Sequence, residues 1–267
     1  MGRQRGSVVI FTWFKRRRRQ RALEAPFAPA WEEYLQQNFA HWNFLSDDER
    51  SRMRDLIRIF IGEKYWEGCG GLRMTDEIKV TIAAQACLLL MNMPHHDYYP
   101  MLKTILVYPS GYFAPGRHGA VGVQSAAMPV LGQAHHRGPV ILSWQHVKQG
   151  GRNARDGHNL VYHEFAHKLD MANGIIDGTP VLESREQFDR WVTVMTREYE
   201  ALVNNTRGTD GYWGPTLLRP YGASNPGEFF AVATEVFFEQ PRDMLSRHRE
   251  LYEVLKMFYK QDPAQRL

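Results

Sequence analysis

The apolar positions of this chain follow a helical period at first, switch to short β-like runs near its middle, and return to a helical period. Residues Trp31 to Phe39 carry a short amphipathic pattern and predict a helix. Ser46-Asp47-Asp48-Glu49 is a capping box, and Met53, Leu56, Ile57, Phe60 and Ile61 follow it at helical spacing. Gly68 to Gly71 break that helix. Thr75-Asp76-Glu77 then opens a more apolar helix over Lys79 to Met93, which ends before Pro94. Thr81, Gln85 and Asn92 interrupt it, so it reads as a buried helix and falls short of the roughly 18 apolar residues of a membrane span.

Two runs, Thr104 to Tyr108 and Pro139 to Trp144, read as strands bounded by Pro and Gly. The stretch between them is rich in Gly, Ala and Pro and has no clear period. Residues Asn159 to Ala172 predict a helix capped by Asn159 and stopped by Asn173-Gly174. Further helices are predicted over Ser184 to Val203, Pro226 to Glu239 and Pro241 to Tyr259, with a loop over Asn204 to Asn225. Helices around a small sheet define an α+β fold.

Charge changes this picture only near the start. The net charge is +4, yet Arg3, Arg5, Lys15, Arg16, Arg17, Arg18, Arg19 and Arg21 all precede the first acid, Glu24. The remaining chain is mildly acidic, so specific nucleic-acid binding is not expected. Residues 1–25 are predicted to be a disordered basic arm, and residues 26–267 one domain with a helical part (26–100) and a catalytic part (101–267). The apolar run Val8 to Phe14 precedes its basic cluster, the reverse of a secretory signal. The two cysteines, Cys69 and Cys87, have no metal or disulfide spacing and suit a reducing compartment, so a cytoplasmic location is expected.

The candidate chemistry lies in His163-Glu164-Phe165-Ala166-His167. Histidines four apart on a helix project from one face, and both imidazoles can reach one Zn²⁺. Glu164, beside the first histidine, can accept a proton from water at the metal and pass it to a leaving amine. A longer motif with glycine and histidine downstream is excluded, because Asp170 and Asn173 stand at those positions. The third ligand must come from elsewhere. Glu228 is the choice, with Glu235 two turns further along the same face as a partner for a ligating histidine. Spacing alone leaves Glu228 equally able to cap its own helix from Asn225 to Glu228. Tyr221 is the candidate oxyanion donor and Tyr212 a weaker rival, with a tyrosine merely packed under the loop an equal alternative.

Two separated stretches, His158 to Asp170 with Asn173-Gly174, and Tyr221 to Val232 with Glu235, resemble the Mlc titration factor A family of zinc peptidases. Gly138 to Trp144 and Gln261-Asp262-Pro263 are similar to it too, and the likeness runs from about Phe14 to the C-terminal residues. The resemblance implies His163, His167 and Glu228 as zinc ligands, Glu164 as general base and Tyr221 as transition-state donor. It also implies a gluzincin-type, zincin-like fold similar to the anthrax lethal factor peptidase domain, aminopeptidase-like cleavage of peptides, and a cytoplasmic protein that binds the glucose repressor Mlc. The arginine-rich start and the glycines at 222 and 227 depart from the family pattern. The rival reading is a non-catalytic binding protein that titrates a transcription factor.

Overall fold

The computed structural model describes residues 17–24, 26–93, 99–113, 129–130, 132–134, 138–206 and 216–266. It begins with helix α1 (17–24), where the sequence reads as a disordered arm. Two of its arginines dock on the end of the next long helix: Arg18 Nε donates to the Gly62 carbonyl at 3.0 Å, and Arg19 pairs with Glu63 at 2.6 Å. The last turn of a helix exposes unpaired carbonyls and a negative dipole end, which attracts guanidinium groups. Residues 1–16 of the expected arm lie outside the described residues.

Helix α2 spans Pro29–Asn38 and α3 Asp47–Glu63, the latter opened by the capping box read from sequence. The Ser46 hydroxyl accepts from Glu49 N at 3.3 Å, and the Glu49 carboxylate accepts from Ser46 N at 2.9 Å. Strand β1 (Tyr65–Gly68) follows, and helix α4 (Asp76–Leu90) crosses to β2 (Thr104–Tyr108). Short strands β3 (Tyr112–Phe113) and β4 (Pro129–Val130) form an antiparallel pair. Strand β5 (Gly132–Ala134) runs antiparallel to β6 (Val140–Ser143). The main sheet has the order β1-β2-β6-β5, and its first three strands are parallel.

Helix α5 (Trp144–Arg152) starts where the sequence reading still had strand. Its Gly150-Gly151 pair hides a helix from propensity. The reason for glycine is contact, since a Cβ at Gly151 would stand 2.3 Å from the Asn38 carbonyl. The chain then forms α6 (Leu160–Asp170), α7 (Arg185–Thr206), α8 (Pro226–Glu239), α9 (Pro241–Arg247) and α10 (Arg249–Tyr259). The single helix predicted over 241–259 is therefore two. His248 leaves helical backbone at φ −134° and ψ 53°, and its imidazole pairs with Glu198 of α7 at 2.8 Å.

Helix α4 is apolar on all sides and buried along most of its length. It packs on α3 and on α6, and α6 packs in turn on α8. Phe165 anchors α6, with its ring 5.8 Å from Phe60 and 4.7 Å from Tyr99. Tyr162 packs on Phe238 of α8 at 5.4 Å. Each such ring buried contributes about 1.5–3 kcal/mol, enough to fix the azimuth of α6. Among the described residues no helix is long and apolar enough to cross a membrane.

Candidate metal centre

Helix α6 starts where the sequence requires, with the Asn159 side chain accepting from Tyr162 N at 3.0 Å. Val161, Phe165 and Leu169 bury one face of the helix. The opposite side therefore carries His163 and His167, whose rings lie 4.8 Å apart between centroids at an interplanar angle of 87°. Their Nε2 atoms are 3.3 Å apart.

Helix α8 supplies the facing carboxylate. Glu228 Oε2 lies 2.9 Å from His163 Nε2 and 3.3 Å from His167 Nε2. Asn225 caps the helix by accepting from Glu228 N at 3.0 Å, and the Glu228 carboxylate turns to the histidines rather than back to Asn225. One ligand atom from each of His163, His167 and Glu228 lies within 4.8 Å of the others.

Glu235 stands behind His163. Its Oε1 accepts from His163 Nδ1 at 2.8 Å, and its Oε2 accepts from the backbone N of Asn159 at 2.7 Å. Arg219 Nη2 also donates to Oε1. The sequence reading singled out Glu235 but missed Arg219, which sits in a loop with no periodic signal. It also missed Glu239, whose carboxylate accepts from His158 N at 3.0 Å. The spacing of Glu228, Glu235 and Glu239 along one helix face was the available clue.

The electrostatics favour a cation between these groups. Burial opposes a charge on His163, but the Glu228 and Glu235 carboxylates outweigh it and raise its pKa to about 10. Burial works against Glu228 as well, and the two histidines hold its carboxyl well below the usual range. Glu164 is 5% exposed, and burial pushes its carboxyl up while the histidines oppose the shift. Lys168, one turn after Glu164, donates to the Gly138 carbonyl at 3.1 Å, and burial lowers its pKa to about 8. Two imidazoles and one carboxylate form a donor set that fits a divalent ion and leaves further positions open.

Tyr221 lies in a 3-10 turn over Pro220–Ala223, with its ring 5.9 Å from that of His163. It is 53% exposed, so it stands at the rim rather than packed under the loop. Burial of its inner part raises its pKa to about 12, helped by Glu228 and Glu164. Tyr212 lies outside the described residues.

A histidine pair and a glutamate converging beside a second, buried glutamate place the chain in the metallopeptidase class. It belongs to the glucose-regulated metallo-peptidase M90 family, which residues 13–260 match, and that is the family of Mlc titration factor A. The chain is 35% identical over 249 residues to an uncharacterized protein of Synechocystis sp., covering 92% of this chain and 89% of that protein. It is 33% identical over 228 residues to Mlc titration factor A of Edwardsiella ictaluri, covering 84% of each. Mlc titration factor A of Klebsiella pneumoniae is 30% identical over 228 residues, covering 84% of this chain and 83% of that protein. The family implies a metal.

Proposed function

We propose that this chain is a zinc-dependent peptidase of aminopeptidase type, acting in the cytoplasm through one unit formed by residues 26–267. The observation that carries this reading is the convergence of His163, His167 and Glu228 next to the buried Glu164. Those three residues would hold the ion, and a His₂Glu set leaves room for water and substrate as a catalytic zinc requires. Zinc, when bound, supplies Lewis acidity toward the substrate carbonyl and lowers the pKa of water.

The protein's own groups perform the rest. Glu164 acts as general base toward the attacking water and then as general acid toward the leaving amine. Its raised carboxyl pKa suits both roles. The Tyr221 hydroxyl remains protonated at neutral pH and donates to the oxyanion as charge develops there. Glu235 holds the His163 ring so that Nε2 faces Glu228. In this reading the domain shares its fold with the anthrax lethal factor peptidase domain.

The relatives named Mlc titration factor A favour a second role, the binding of a transcriptional repressor of the Mlc type that controls sugar uptake. Catalysis and such binding use different chemistry, and one variant separates them. Glu164→Gln is expected to retain one zinc per chain by elemental analysis and to lose hydrolysis by roughly 10²–10⁴-fold. Near-normal turnover of that variant would refute the peptidase reading. Repressor binding that survives in it would show the two roles to be separable. Peptides with a free amino terminus are expected to be cleaved and amino-blocked ones spared.

A further inference from the structure

Two large aliphatic side chains that are neighbours in sequence both stand in solvent, Ile175 at 59% and Ile176 at 51% exposed. Single exposed apolar residues are ordinary, but two in succession on a fixed loop beside a polar centre are not. The loop between α6 and α7 holds them there. Ile175 N donates to Asn173 Oδ1 at 2.8 Å, and Asn173 Nδ2 donates to the Thr179 carbonyl at 2.8 Å. Gly178 N donates to Asp170 Oδ2 at 3.0 Å, and Trp191 Nε1 donates to the Gly178 carbonyl at 3.0 Å. Gly174 and Gly178 take φ values of 93° and 77°, which side chains rarely adopt.

The same loop lies against the first turn of α8. A Cβ on Gly227 would meet Ile176 Cγ2 at 3.3 Å, and Gly227 immediately precedes Glu228. Glycine at this position thus leaves room for Ile176 next to the candidate ligand. Asp170, at the end of the histidine-bearing helix, ties the other side of the loop. The two isoleucines are therefore fixed relative to both helices of the centre.

We propose that Ile175 and Ile176 form an apolar lip of the substrate cleft, selecting peptides with a bulky aliphatic or aromatic side chain next to the scissile bond. This rests on the peptidase reading and adds the substrate class to it. The free energy comes from covering apolar surface that the fold leaves in water.

The test is competitive binding of L-leucine hydroxamate and glycine hydroxamate to the zinc-loaded chain, together with turnover of leucyl and glycyl anilides. The leucyl compounds are expected to be favoured by roughly tenfold in both assays. In the double variant Ile175→Ser, Ile176→Ser the preference should fall to within about twofold of unity, with zinc content and melting temperature retained. Ile176→Leu should restore it when introduced with the native Ile175. Equal binding of the two hydroxamates to the zinc-loaded native chain overturns the lip and leaves the peptidase standing, as does a preference that survives in the double variant. A chain that takes up no zinc overturns both.

Discussion

Glu235 holds His163 by two routes, accepting from its Nδ1 at 2.8 Å and from the backbone N of Asn159, which caps the same helix, at 2.7 Å. The ring and the helix that carries it are thus positioned by one carboxylate, itself held by Arg219. Donation from Nδ1 fixes the ring so that Nε2, which shares a proton with Glu228 here, would offer its lone pair to a metal that displaces that proton.

Glu235→Ala is expected to weaken zinc binding by roughly 10–100-fold in a chelator competition. Glu235→Gln keeps one acceptor oxygen and should lose less. Unchanged affinity in both variants would show that the contact is incidental.

Tyr221→Phe removes a hydroxyl and little else from a side chain at the rim. The expected result is a fall in kcat of roughly 10²–10³-fold with KM and zinc affinity nearly unchanged. A loss confined to KM would mean that the hydroxyl binds ground-state substrate instead.

Gly178 adopts φ 77°, and a Cβ there would stand 2.5 Å from the Pro226 carbonyl. Gly178→Ala should therefore lower stability by about 1–3 kcal/mol in urea unfolding, since both backbone strain and contact oppose the new methyl. A change below a few tenths would mean that the loop moves off α8 freely.

His41 is buried and bonded in its neutral form, with Nε2 donating to the Phe238 carbonyl at 3.0 Å and Nδ1 accepting from the Tyr162 hydroxyl at 3.1 Å. Burial lowers its pKa to about 4, with the Phe238 carbonyl opposing and Arg266 adding to the shift. Between pH 6.5 and 4 the unfolded chain binds a proton here that the folded chain does not. Stability present above pH 6.5 is therefore lost on acidification, by about 2–3 kcal/mol at pH 4.5 from this group. Urea unfolding of the metal-free protein at pH 7 and 4.5 measures it. His41→Gln should be less stable at pH 7 yet lose less between the two pH values.

Much of the fold is local and was legible. The α3 capping box, the bounds of β2 and α8, and the Asn159 cap all follow from side chains within a few residues of one another. Elements without such signals were not legible. Strand β1 has four residues and is held by pairing with β2, while α5 contains paired glycines that a contact with α2 requires. Helix α1 is stabilised by groups at the end of α3, some 44 residues away in sequence.

The candidate centre divides in the same way. The sequence by itself determined that His163 and His167 share a helix face, because the 3.6-residue period fixes their relative direction. It also located Glu228 and Glu235 on one later helix. Only the tertiary structure decided that the Glu228 carboxylate faces the histidines rather than capping its own helix, since the packing of α6 on α8 sets that direction. The placement of Arg219 against Glu235 and of Ile176 against Gly227 was likewise decided there, because such contacts depend on how helices and loops pack and not on any repeat along the chain.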